Sequence, residues 1–195
     1  MAQLKMYRLA GTPIEDVPLP EGYSISNYKT EEDKLAWVEC CKNGLVSDDA
    51  TAQDFDDAMK ERGIDLYKDV FFLDYNGEHI GTVTAYVRPE DNSGDMHMVG
   101  IRTDFRGKGL SKYLSITTCR HLDEAGVGYT ELTTDEWRKG AIKGYLNAGF
   151  LPVKYDRGMG KRWSAVLEDL GIDSVQMLKN NTKPYKIIYR KNYNK

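Results

Sequence analysis

In the run Arg106-Gly107-Lys108-Gly109-Leu110-Ser111, residue type and spacing point most directly to chemistry. It follows the apolar stretch Met96-Ile101 and precedes residues with a helical period, so two glycines stand where a strand gives way to a helix. The first N–H groups of a helix lack intrahelical acceptors, and the summed peptide dipole favours negative charge there. Gly107 and Gly109 let the backbone come close to a ligand, while Arg106 and Lys108 add positive charge, Lys108 reading equally well as a solvated loop residue. A phosphate group is the expected occupant. No GxxxxGK[ST] string occurs, and the turn lacks GxGxxG spacing, which sets aside a nucleoside triphosphatase and a dinucleotide fold.

Other side chains could move protons. His97 lies in the Met96-Ile101 stretch, and an imidazole titrates in the range that suits proton removal near neutrality; a packed or surface histidine is the alternative. Glu131 is a reserve base. Tyr145 could donate a phenolic proton or could be a core tyrosine with a satisfied hydroxyl. His79 and His121 have no cysteine or acid at metal-ligand spacing, so both read as surface residues and no metal site is expected. Asp48, Asp49, Asp54, Asp56 and Asp57 read as a solvated acidic face that could also attract a cationic amine.

The elements that must position these groups follow from pattern. Residues 1–20, with Pro13, Pro18 and Pro20, read as a lead-in to a first strand at Gly22-Tyr28. Thr30-Glu31-Glu32-Asp33 has the form of a capping box opening a helix through Leu35, Trp37, Val38 and Cys41 to Gly44, and a second helix spans about Ala52 to Arg62. Val70-Tyr75 and His79-Val87 form a hairpin across Asn76-Gly77, whose residues suit a type I′ turn. A strand, Asp95 to Ile101, enters the glycine turn, and a helix from Leu110 buries Leu114, Thr118 and Leu122 before Gly126. Tyr129-Thr134 is a strand, Asp135 caps a helix carrying Ala141, Ile142, Tyr145 and Leu146, and Phe150-Tyr155 is again strand. A helix from about Lys161 to Leu170 and a strand at Tyr185-Tyr189 complete the chain.

Ile101-Arg102-Thr103-Asp104-Phe105-Arg106-Gly107-Lys108-Gly109-Leu110-Ser111 resembles the strand-and-turn motif of the GNAT superfamily of acyl-CoA N-acyltransferases, Arg/Gln-x-x-Gly-x-Gly/Ala, with Ser111 at the Gly/Ala position. Ala141-Ile142-Lys143-Gly144-Tyr145-Leu146-Asn147-Ala148-Gly149-Phe150 resembles its later motif, Ala-Ile-x-x-Tyr-x-x-x-Gly-Phe. Thr134-Asp135-Glu136-Trp137-Arg138 and Arg162-Trp163 look somewhat like the mycothiol-synthase-like branch. The resemblance covers about residues 70–155, leaving 156–195 as a helix-and-strand extension.

The resemblance implies one GNAT domain over residues 1–195, of mixed α+β class, with a mostly antiparallel twisted sheet flanked by helices on both faces. It implies acetyl-CoA as co-substrate, its pyrophosphate on Arg106, Gly107, Lys108, Gly109, Leu110 and Ser111, and its pantetheine arm along Val99, Gly100 and Ile101. The Val99 N–H would polarise the thioester carbonyl. Tyr145 would protonate the departing thiolate, and His97 stands where some relatives acting on small amines carry a histidine. Arg138 occupies the place of an asparagine that touches CoA in many relatives. The implied reaction is direct acetyl transfer to a primary amine of a small molecule in a ternary complex; a non-catalytic acyl-CoA-binding module and a peptide or protein N-acetyltransferase are the alternatives.

Composition limits the rest. With 195 residues, 41% hydrophobic and 29% charged, the chain can fill one core. A net charge of -3 argues against nucleic acid as partner, the basic stretch Lys183-Lys195 reading as a solvated edge. The start lacks a signal-peptide pattern and no apolar run reaches membrane-spanning length, so a cytoplasmic monomer or homodimer with no membrane partner is expected. Cys40, Cys41 and Cys119 are read as reduced thiols.

Overall fold

A computed structural model describes residues 2–60 and 63–193. In chain order the strands are β1 Leu4–Leu9, β2 Tyr23–Asn27, β3 Val70–Tyr75, β4 Glu78–Arg88, β5 Ser93–Ile101, β6 Tyr129–Thr134, β7 Leu151–Lys154, β8 Ser174–Lys179 and β9 Pro184–Tyr189. The helices are α1 Glu32–Cys41, α2 Ala52–Met59, α3 Leu66–Asp69, α4 Ser111–Glu124, α5 Lys139–Asn147 and α6 Met159–Leu170. The class is mixed α+β, and the ladders are mostly antiparallel. The chain divides into two compact units, residues 14–127 and residues 1–13 with 128–195.

In the unit of residues 14–127, β2, β3, β4 and β5 pair in that order, all antiparallel. Asn76 and Gly77 join β3 to β4 with φ of 49° and 86°, the left-handed pair that a type I′ turn requires. Cross-strand partners point to one face, so the pairs Gly81↔Ile101 and Thr82↔Gly100 mark opposite faces. A Cβ at Gly81 would meet Leu114 of α4, whereas one at Gly100 would meet Cys40 of α1. Helices therefore cover both faces of this sheet, as expected.

On the α1 face, Trp37, Val38, Cys41, Phe55, Met59, Val70 and Phe72 form a buried cluster with Tyr28. Phe55 stacks on Tyr28 at 5.5 Å and takes the Trp37 ring edge-on at 5.3 Å. The helix starts are built locally. Asp33 accepts from the N–H groups of Lys29 and Thr30 at 2.6 and 3.0 Å, the acidic half of the expected box, while α2 has the full reciprocal box between Thr51 and Asp54. The helix begins at Glu32 rather than Thr30, and Leu35 is exposed. The second helix ends at Met59; the remainder of its expected span, Glu61 and Arg62, lies outside the described residues.

In the other unit the order is β6, β1, β7, β8, β9, with β7 and β8 parallel and the remaining pairs antiparallel. The sequence reading of residues 1–20 as a lead-in is corrected here, since Leu4–Leu9 forms a strand paired on both edges. Leu4, Met6, Tyr7 and Arg8 are all buried, and Arg8 donates from Nη2 to the Thr12 carbonyl. Strand β8 is likewise additional. Arg138 rather than Asp135 occupies the N-cap position of α5, without a side-chain cap bond, and the Asp135 carbonyl takes the Arg138 N–H at 3.1 Å. Helix α6 begins two residues early at Met159 and buries Trp163, Val166 and Leu167 as its period predicts. No helix among the described residues is long and apolar enough to cross a membrane.

Candidate functional site

The glycine turn adopts the conformation its residues suggest. Gly107 and Gly109 have φ of 77° and 71°, and a Cβ at either would touch nothing within 4 Å, so backbone conformation and not crowding demands glycine. The N–H groups of Gly107, Lys108, Gly109 and Leu110 donate to no acceptor among the described residues. Leu110 occupies the N-cap of α4 and, having no polar side-chain atom, caps nothing; the first turn carries no acid. An uncapped helix start with four unpaired donors and no competing carboxylate fits a pyrophosphate by hydrogen bonding and by dipole. Ser111 is the first residue of α4.

Arg106 is arranged differently from a simple phosphate ligand. Its Nε donates to the Ile101 carbonyl at 2.8 Å, Nη1 to Asn43 at 3.0 Å and Nη2 to Lys42 at 2.6 Å. The guanidinium thus joins the end of β5 to the C-terminal end of α1, and Asn43 Nδ2 adds a 3.0 Å bond to Thr103 Oγ1. Lys108 is exposed, its Nζ over the Phe105 ring at 4.6 Å.

Strand β5 carries a bulge immediately before the turn. Thr82 pairs with Gly100 and Thr84 with His97, leaving Met98 and Val99 together opposite Val83. Met98 has φ of 52°, a left-handed conformation in a non-glycine residue, and its side chain packs on the α1–α2 cluster. Gly100 is explained by the approach of α1, since a Cβ there would lie 2.6 Å from the Cys40 carbonyl oxygen. Nothing in the residue types marked Met98 as the bulged position.

His97 is half-buried, opposite Thr84 on the α1 face, with its ring edge-on to Tyr86 at 6.3 Å. Val99 and Ile101 are half-buried on either side of Gly100. In the other unit, the Tyr145 ring is buried and lies 6.1 Å from Phe150. Burial pushes its phenol up to about 12, the Arg138 charge pulling weakly the other way. The hydroxyl has no hydrogen-bond partner among the described residues. Arg138 stacks its guanidinium on the exposed Trp137 ring at 4.4 Å and pairs with Asp135 at 3.4 Å. Glu131 is held by Lys5 at 3.1 Å.

Two histidines read as surface residues prove to be structural. His79 places Nδ1 2.5 Å from Asp74 and Nε2 3.3 Å from Asp33, and stacks on Phe72 at 4.1 Å, which pins the hairpin to α1. Burial raises the Asp33 carboxyl, but the Thr30 and Lys29 N–H groups and His79 outweigh it and hold it below the ordinary value. His121 bonds Asp69 at 3.1 Å and meets the Phe71 ring edge-on. Both pairings are nonlocal or cross a turn, so spacing alone could not reveal them. Asn43, which ends α1 at φ of 58°, was also unread; its Asn-Gly pair at a helix end was the available signal.

The acidic residues around α2 are partly committed: Asp54 to the cap, Asp56 to Lys34 at 2.8 Å, Asp57 to Gln53 and Asp49 to Ser47. All three cysteines are buried and in no disulfide; burial pushes the Cys40 thiol up to about 12 and Cys41 well above its ordinary value. A cleft of about 800 Å3 beside α1 is lined by Glu39, Lys42, Glu78, Arg102 and Asp104, whose charges are mutually paired.

A bulged strand entering a glycine turn and an uncapped helix start together make a candidate anion site in a mixed α+β fold. The acetyltransferase (GNAT) family matches residues 30–150, and the chain belongs to it. The mycothiol acetyltransferase of Streptomyces coelicolor is 30% identical over 152 residues, covering 76% of this chain and 49% of the relative. That of Streptomyces bingchenggensis is 29% identical over 160 residues, covering 78% and 52%. The chain spans about half the length of these curated relatives. Among solved structures, a GCN5-related N-acetyltransferase of Sphaerobacter thermophilus matches with a TM-score of 0.60 at 20% identity, covering 76% of this chain and 47% of that one. An acetyltransferase of Streptococcus agalactiae matches at 0.55 and 17%, covering 70% and 88%.

Proposed function

We propose that the chain transfers an acetyl group from acetyl-CoA to a primary amine of a small molecule, directly, with both substrates bound together. The observation that carries this is the start of α4: four unpaired N–H donors at an uncapped, acid-free helix terminus in a chain of the acetyltransferase (GNAT) family. The name of the relatives, mycothiol acetyltransferase, supports a small-molecule acceptor.

Acetyl-CoA supplies the activated thioester; the chain's residues bind, orient and move protons. Gly107, Lys108, Gly109 and Leu110 hold the pyrophosphate through backbone N–H groups. The bulge in β5 interrupts its regular pairing with β4 at Met98 and Val99, and the Val99 N–H is the candidate donor to the thioester carbonyl. Tyr145, kept protonated by a raised pKa, is the candidate acid for the departing thiolate, and His97 the candidate base for the acceptor ammonium.

The test combines calorimetric titration with acetyl-CoA and a thiol-release assay over polyamines, aminoglycosides, aminosugars, amino acids and peptides. Binding with release stimulated by at least one small amine is expected. Binding without release for any amine would leave a non-catalytic acyl-CoA-binding module, release for peptides alone would point to a peptide N-acetyltransferase, and absence of binding would remove the reading altogether.

A further inference from the structure

One of the two cations of the turn, Arg106, has its guanidinium committed to main-chain oxygens. All three nitrogens of the Arg106 guanidinium donate to main-chain carbonyls: Ile101 at the end of β5, and Lys42 and Asn43 at the end of α1. Lys42 is the C-cap residue of α1 and Asn43 follows it, at the end where the helix dipole is negative, so the guanidinium braces that terminus from a remote part of the sequence. A planar fork with divergent N–H groups can reach three separated oxygens at once, which a single ammonium cannot. Asn43 closes a second link to the same segment through Thr103, at 3.0 Å. After Asn43 the chain makes the tight bend in which Leu45 and Val46 both donate to the Cys41 carbonyl, at 3.0 and 3.2 Å, and then runs on to α2.

We infer that Arg106 is a positioning residue that couples occupancy of the anion turn to the C-terminal end of α1, residues 42–46. This rests on the reading of the turn as an acetyl-CoA site. A ligand that fixes the Gly107–Leu110 N–H groups fixes the adjacent Arg106 backbone, and the guanidinium carries that restraint to the α1 carbonyls. The bend that leads to α2 then opens less often. Arg106 thereby acts on the binding site through α1 and the turn, not by touching phosphate.

Amide hydrogen exchange on the full chain tests this, with and without saturating acetyl-CoA, in wild type, R106K and R106Q. In wild type, acetyl-CoA is expected to slow exchange at residues 107–110 and also at Leu45 and Val46. In both variants without ligand, Leu45 and Val46 are expected to exchange roughly tenfold faster while β3 and β4 amides keep their wild-type rates. With saturating acetyl-CoA, the variants should regain protection at 107–110 but not at 45–46. The coupling is overturned if ligand protects only 107–110 in wild type, or if either variant retains ligand-dependent protection at 45–46. It is equally overturned if the variants weaken acetyl-CoA binding while unliganded exchange at 45–46 stays at the wild-type rate, the signature of a direct phosphate contact. If wild type binds no acetyl-CoA by calorimetry, the functional reading fails instead, and the unliganded exchange still reports whether Arg106 holds the α1 end.

Discussion

Gly100 of β5 lies directly beneath the Cys40 carbonyl of α1: a Cβ at residue 100 would stand 2.6 Å from that oxygen and 3.0 Å from its carbon. No side-chain rotation relieves a clash with backbone. Gly100→Ala is expected to push α1 outward and destabilise the protein by about 1–3 kcal/mol, the range for overpacking a filled core. Gly94→Ala meets only the Leu122 side chain, at 2.6 Å, which can rotate. Urea denaturation should rank Gly100→Ala as the more damaging of the two; the reverse order would mean that α1 yields more easily than Leu122.

Tyr145→Phe removes a hydroxyl with no partner among the described residues while keeping the ring against Phe150. Stability and acetyl-CoA affinity should change little. The transfer rate should fall at least tenfold, about 1.4 kcal/mol in the barrier. Steady-state kinetics with calorimetry separates the two effects, and an unchanged turnover would assign the leaving-group proton elsewhere.

Alkaline pH should unfold the protein earlier than neutral solution stability suggests. Burial raises the Cys40 thiol from 9.0 to about 12 and Tyr145 from 10.0 to about 12, and burial with the Glu31 hydrogen bond does the same for Tyr28. The unfolded chain loses these protons first, so it binds fewer protons than the folded one and stability falls as pH rises. The contribution is complete below pH 9.0 and is lost progressively towards about 12. Urea midpoints at pH 7, 9 and 10.5 should drop only above about pH 9, and Cys40→Ala should delay the onset.

Gly109 is required for its φ of 71°, with open space around it. Gly109→Asn should be tolerated because asparagine visits the left-handed region, whereas Gly109→Val should cost roughly 1–2 kcal/mol and misalign the N–H donors. Melting temperature and acetyl-CoA titration together check this. Equal behaviour of the two variants would mean that the turn relaxes without loss.

Much of the fold was legible where pattern and local chemistry agree. Val70-Tyr75, the Asn76-Gly77 turn, Tyr129-Thr134 and the glycine turn stand where the sequence places them, because each is specified by residues within a few positions. β1 was hidden by Arg8, a charged residue at a buried position, and β8 by the mixed run Ser174-Val175-Gln176-Met177-Leu178-Lys179, which lacks the β-branched density of a central strand. At the candidate site the residue types gave the donors, whereas the partners of Arg106 and His79 join segments 63 and 46 residues apart and leave no mark in local spacing.

The left-handed Met98 resets the odd–even frame of its strand. Up to His97, odd residues of β5 face α1 and even ones face α4, as the pairs Thr84↔His97 and Ala85↔Met96 require. Beyond it the parity is exchanged, so that even-numbered Gly100 lies under α1 and odd-numbered Ile101 turns to the side of Leu114. Removing Met98 would return the strand to regular alternation, His97 opposite Thr84, Val99 opposite Val83 and Gly100 opposite Thr82, so Gly100 would stay beneath Cys40. A deletion at the bulge would therefore leave the packing frame beyond it in place, whereas removing Gly100 itself would act like a frameshift and bring Ile101 beneath Cys40.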